Sequence, residues 1–204
     1  MTSATTIPLD AIIKLVESEI PNEYHGAELS KQVGDMLNSA KALTGAALIV
    51  GPPGVGKTRQ LWACYRSLRI KQAERIAEDG SEEPAEFVRR FRFQKPRMQI
   101  INESWDIARN RYGYDWLEDV GKHPGWLAID DIGSGKAAND WTMQAIYFLA
   151  NHRRAWKLPT IWTTNLQQDQ LASYFTPAIA SRLCGGVIIN PEGADRRQDD
   201  AVSK

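Results

Sequence analysis

Apolar positions along the chain change their period once. Over residues 9–20, Leu9, Ile12, Ile13, Val16 and Ile20 recur at the three- and four-residue intervals that line one face of an α-helix. A second such stretch follows Ser30, a residue type that caps helices by accepting a hydrogen bond from an early backbone N–H; it puts Val33, Met36, Leu37, Ala40 and Leu43 on one face. Pro21, Asn22 and Gly26 break the pattern between the two. Residues 1–44 therefore read as a helical leader, which either packs on the remainder of the chain or acts as a docking element. From residue 45 short apolar runs alternate with helical stretches, the pattern of a mostly parallel sheet flanked by helices. The expected strands are Ala46–Val50, Met98–Asn102, Trp126–Asp130, Thr160–Thr164 and Gly186–Asn190, five in all. Asp140–Trp156 reads as a long helix closed by Pro159, and acidic Ala77–Pro84 as an exposed loop around Gly80.

Three motifs bring chemistry to this frame. Residues 51–58 read GPPGVGKT, a full match to GxxxxGK[ST], between an apolar strand and the helical stretch RQLWACYRSLRI. That context is the one a phosphate-binding P-loop requires. Gly51, Gly54 and Gly56 let the backbone curl so that successive N–H groups face phosphate, and the helix N-terminus adds positive potential. Lys57 is expected to reach the β- and γ-phosphates of ATP and the Thr58 hydroxyl to ligate Mg²⁺. The whole segment Gly51, Pro52, Pro53, Gly54, Val55, Gly56, Lys57, Thr58 and Arg59 is the expected nucleotide-binding loop. Next, WLAIDD (126–131) is an apolar run ending in two carboxylates, the Walker B pattern. Asp130 is expected near the Mg²⁺, and Asp131 in a position to orient or deprotonate the attacking water. The Asp131 side chain is shorter than that of Glu, which predicts slow hydrolysis unless a partner adjusts the geometry or DNA stimulates it. Third, TIWTTN (160–165) is a strand ending in polar residues, and Asn165 is either a γ-phosphate sensor or a plain loop-opening residue.

Composition narrows the partners. Lys plus Arg, 25, equals Asp plus Glu, 25, so nucleic acid is not attracted by net charge and any contact needs a local patch. Two stretches qualify. FVRRFRFQKPR (87–97) interleaves Arg89, Arg90, Arg92, Lys95 and Arg97 with Phe87, Phe91 and Phe93, and Trp105–Trp116 contains Arg109, Arg111, Tyr112 and Tyr114. Each can follow phosphates and stack on unpaired bases, or bury its aromatics with the arginines solvated. Trp62, Trp126, Trp141 and Trp162 fall on positions expected to face the core. Cys64 and Cys184 form no CxxC pair, and His25, His123 and His152 lack metal-ligand spacing. No basic-then-apolar start and no span of about 18 apolar residues occurs, so the expectation is a cytoplasmic protein without a membrane partner, and the lack of a GxSxG elbow leaves covalent catalysis without support.

Taken in order, the motifs resemble the bacterial helicase-loader ATPases of the DnaC/IstB type, members of the AAA+ P-loop fold class. The resemblance rests on GPPGVGKT, IDDIG (129–133), NHRR (151–154), LPTIWTTNL (158–166), IASRL (179–183) and GGVIINPEGADRR (185–197), and spans residues 45–197. It implies a five-stranded AAA+ core over residues 45–204 behind the short 1–44 leader. It matches Arg182 to an arginine finger that reaches the γ-phosphate of a neighbouring subunit, so self-association through ATP is implied; a surface or salt-bridged arginine is the alternative. Arg196 or Arg197 matches a second sensor arginine, and Arg153 sits either at a subunit interface or on a solvated helix end. The 21 residues after Leu183 are too few for a full helical lid. The expected function is loading a replicative helicase while holding single-stranded DNA. A transposition helper on duplex DNA, a P-loop phosphotransferase for a small metabolite and an inactive nucleotide-gated adaptor remain as alternatives.

Overall fold

The run AALIV at residues 46–50 is apolar at every position, and such a strand needs cover on both faces. In a computed structural model, describing residues 7–78, 84–101, 115–134 and 139–191, it has that cover. The strands are β1 (Ala46–Val50), β2 (Met98–Ile101), β3 (Trp126–Ile132), β4 (Thr160–Thr164) and β5 (Val187–Ile189). They pair in the order β2-β3-β4-β1-β5, each described pair parallel. The helices are α1 (Leu9–Glu17), α2 (Lys31–Leu37), α3 (Ala40–Leu43), α4 (Lys57–Glu78), α5 (Pro84–Phe93), α6 (described over 115–122), α7 (Asp140–Ala155), α8 (Leu171–Tyr174) and α9 (Pro177–Leu183), with a 3₁₀ turn at Asn22–Tyr24. Alternation along β1 divides the interior. Ala47 and Ile49 join a cluster with the leader, α4 and α5, whereas Leu48 and Val50 join one with α7 and α9.

The leader takes the packed arrangement. Ile12, Val16, Ile20, Val33 and Met36 are buried in the first cluster. Glu19 then accepts a two-pronged ion pair from Arg69 on α4, Nε to Oε2 at 2.8 Å and Nη2 to Oε1 at 2.9 Å, and Tyr65 donates to Glu19 Oε2 at 2.8 Å. Arg69 is buried while Glu19 keeps a partly exposed side chain, and further Arg69 donors go to the Phe91 and Gln94 carbonyls. The second leader helix is split. Ser39 caps a new turn by accepting from the Ala42 N–H, which separates α2 from α3 and leaves Leu43 exposed.

Two corrections concern side chains of the core. Arg153, expected at an interface or on a solvated helix end, is 1% exposed beneath α7. It donates to Thr160 Oγ1 at 2.8 Å and to the carbonyls of Gly121, His123, Gly125 and Pro159 at 2.8–3.1 Å. Burial lowers its pKa to about 10, so it remains charged at neutral pH while clamping the chain ahead of β3 and β4. Trp126, Trp141 and Trp162 are buried as expected, but Trp62 is only half-buried and stacks on Tyr24, ring centroids 5.9 Å apart.

Candidate nucleotide-binding cleft

The six residues between β1 and α4 turn sharply at the C-terminal edge of the sheet. Gly54 and Gly56 take φ of 85° and 90°, a region that side chains with a Cβ rarely enter. Val55 turns its side chain into the core, while Pro52 and Pro53 are exposed. At the first turn of α4, Lys57 is 7% exposed. Its Nζ donates to the Gly51 carbonyl at 2.7 Å, the Pro52 carbonyl at 2.8 Å and Asn165 Oδ1 at 2.6 Å. A buried ammonium held by loop carbonyls and a side-chain amide is a cation aimed at the centre of the loop.

The carboxylates arrive from β3, whose pairing with β4 is irregular. Ile129 lies opposite Trp162 and the register resumes at Ile132 opposite Thr164. Within this bulge Asp131 has φ 52°, left-handed backbone outside glycine, and its exposed side chain reaches the cleft. Asp130 Oδ2 accepts from Thr58 Oγ1 at 2.7 Å, and Asp130 Oδ1 accepts from Thr163 Oγ1 at 2.5 Å. Asn165 Nδ2 donates to Asp131 Oδ1 at 2.6 Å, so the amide bridges Lys57 and Asp131. Tyr24, Pro53, Gly54, Gly56, Lys57, Thr58, Arg59, Asp130, Asp131 and Asn165 line a cleft of about 320 Å³. Gly51 and Pro52 are not in that lining, but their carbonyls hold Lys57, which is.

This donor set fits Mg-ATP. One hydroxyl and one carboxylate oxygen stand 2.7 Å apart. A hard cation that keeps several waters and shares phosphate oxygens needs no more from the protein. No group of three or more His, Cys, Asp or Glu suited to a metal occurs among the described residues.

Arg182 lies elsewhere. It borders a small cavity with Gly45, Ala46 and Thr160, at the opposite end of β1 and β4 from the loop. The five residues of β1 put about 16 Å between those ends. Its guanidinium donates to Asn151 Oδ1 at 3.1 Å and the Ala178 carbonyl at 2.8 Å and lies 4.8 Å from the Tyr147 ring centre. Arg196 and Arg197 lie outside the described residues. Of the first basic stretch, Phe87 and Phe91 are buried, which removes them as stacking faces, while Arg92, Lys95 and Arg97 are exposed. Of the second only Asp115 and Trp116 are described, and Trp116 is half-buried. Sequence reasoning missed Tyr24 and Thr163. Thr163 sits inside the quoted TTN, but nothing in a buried strand marks which hydroxyl turns toward its neighbour.

No protein-family model matches the chain, and no curated protein is similar to it in sequence. Solved structures do share its fold. A crystal structure of DnaI superposes with a TM-score of 0.55 at 20% identity, covering 87% of this chain and 94% of that one. The DnaC helicase loader gives 0.52 at 18% identity, covering 84% and 100%. Replication initiator DnaA bound to AMPPCP and single-stranded DNA gives 0.53 at 14% identity, covering 85% of this chain but 49% of that one. The chain thus spans about half the length of the DnaA structure it matches. These likenesses and the parallel five-stranded order establish the AAA+ P-loop fold. No helix among the described residues is long and apolar enough to cross a membrane.

Proposed function

We propose that the chain binds and slowly hydrolyses ATP in the cytoplasm, as a helicase loader of DNA replication that assembles with ATP and holds single-stranded DNA. The observation that carries the nucleotide reading is the meeting of Lys57 with Asn165 and of Thr58 with Asp130 in one cleft, from motifs more than 70 residues apart. In this reading Lys57 would give up its loop carbonyls for the β- and γ-phosphates, and Thr58 with Asp130 would hold Mg²⁺. Bound there, the cation supplies Lewis-acid stabilisation of phosphate oxygens. Asp131 orients the attacking water and takes its proton. Asn165, bonded to both Asp131 and Lys57, keeps the base and the cation in register.

Arg182 is too far from its own cleft to serve it. A finger role therefore requires a neighbouring subunit, where its guanidinium offsets charge developing on the γ-phosphate. Replication is supported by the shared fold with DnaC, DnaI and single-stranded-DNA-bound DnaA, and the exposed Arg92, Lys95 and Arg97 are the candidate phosphate contacts.

Arg182→Ala is expected to bind ATP as tightly as wild type and to lose turnover by about 10³-fold, the scale of an arginine finger. Mixing it with Lys57→Ala, inert alone, is expected to restore turnover, because one variant keeps an intact cleft and the other an intact finger. Wild-type hydrolysis by dilute Arg182→Ala alone would sink the trans role. Among DNAs, stimulation by single strands is expected; a preference for duplex would point instead to the transposition helper.

A further inference from the structure

At the β3 bulge the Asp131 N–H and the Asp130 carboxylate share one partner, Thr163. Lying in β4 between the two paired positions, it is 0% exposed, and its hydroxyl is used twice. The oxygen accepts from the Asp131 N–H at 2.8 Å, and the proton is donated to Asp130 Oδ1 at 2.5 Å. Asp130 is left with its other oxygen turned to Thr58.

From this geometry we infer that Thr163 is a positioning residue for the divalent cation: one buried hydroxyl closes the β3 bulge that brings Asp131 to the cleft and sets the plane of the Asp130 carboxylate. The inference rests on the reading of the cleft as a Mg-nucleotide site. Two features separate it from ordinary core packing. The hydroxyl's single proton goes to a carboxylate rather than to a backbone carbonyl. Its acceptor face meets an N–H whose residue, at φ 52°, has left the ladder. By contrast the neighbouring Thr164, equally buried, donates to the Ile132 carbonyl and accepts from the Leu166 N–H, and so touches neither carboxylate.

Thr163→Val keeps the shape and removes the hydroxyl, leaving the Asp131 N–H and one Asp130 oxygen without this partner. Thr163→Ser keeps the hydroxyl and removes a methyl. The direct readout is Mn²⁺ binding to protein carrying AMPPCP, titrated by electron paramagnetic resonance, beside AMPPCP binding in EDTA. Thr163→Val is expected to weaken Mn²⁺ by about 10–100-fold, the usual effect of losing an outer-sphere partner, with metal-free nucleotide affinity unchanged. Thr163→Ser should stay within about 3-fold of wild type, and Thr164→Val, the control in the same strand, should leave Mn²⁺ binding alone. Equal Mn²⁺ affinity in wild type and Thr163→Val overturns the inference. So does parallel loss of metal-free nucleotide binding in Thr163→Val, or failure of Thr163→Ser to rescue, since each marks a purely structural role. If wild type itself binds no AMPPCP, the nucleotide reading falls and the inference with it, a result recognisable before any variant is made.

Discussion

Lys57→Ala is expected to lose ATP binding and to lower turnover at least about 100-fold, without loosening the fold. The ammonium is buried; of its partners, Asn165 lines the open cleft and Pro52 is exposed, while Gly51 is buried. Once the side chain is cut back, water can reach the Pro52 and Asn165 acceptors, so two of the three are not stranded. Binding suffers instead, because the cation placed at the centre of the phosphate loop is gone. Calorimetric titration with ATP, beside thermal unfolding in the absence of nucleotide, separates the two effects. Retention of wild-type affinity would remove Lys57 from the phosphate site. A large fall in melting temperature would make its role structural.

Arg153→Ala is expected to produce the largest loss of stability in the chain, about 3–5 kcal/mol. Here the stranded groups are real. Carbonyls from Gly121, His123, Gly125 and Pro159 converge on one guanidinium that is almost wholly buried. Truncation leaves them facing a cavity instead. For a chain of this size that corresponds to a fall in melting temperature of roughly 10 °C. Arg153→Lys should recover only part of it, since three donors on a point charge cannot span acceptors that a planar five-donor fork reaches together. A melting temperature for Arg153→Ala within about 2 °C of wild type would contradict the clamp. Because these carbonyls precede β3 and β4, the strands that deliver Asp130 and Asn165, nucleotide binding is expected to weaken in proportion to the unfolding.

The same residue shows how far the sequence could be read. Ile146, Leu149, Ala150 and Arg153 follow helical spacing and all are buried, so the periodicity contained the answer while the residue type argued against it. Phe87 and Phe91, four apart on α5, are a parallel case in which the spacing signalled burial and the neighbouring arginines suggested nucleic acid. Strands β1 and β4 begin and end where their apolar runs do, and α7 stops one residue short of the expected Trp156. Lys57, Thr58, Asp130, Asp131 and Asn165, which the structure gathers in one cleft, all lie within the three motifs quoted from the sequence, because such motifs fix residue types at short range. Long-range pairings were not legible. Nothing local announces that Glu19 will meet Arg69 fifty residues on, that Tyr24 will reach the cleft mouth, or that β3 will bulge at Asp131. Each depends on how elements settle against one another, which short-range spacing does not encode.

As a helicase loader, the chain would use this cleft between subunits and answer to DNA. The most direct test is the ATP turnover rate per subunit measured across protein concentration, with and without single-stranded DNA. A rate that climbs with concentration, and further with DNA, is the result expected of a finger supplied by a neighbour. A rate that stays flat across concentration and ignores DNA would contradict the loader reading and leave a nucleotide-binding protein acting alone.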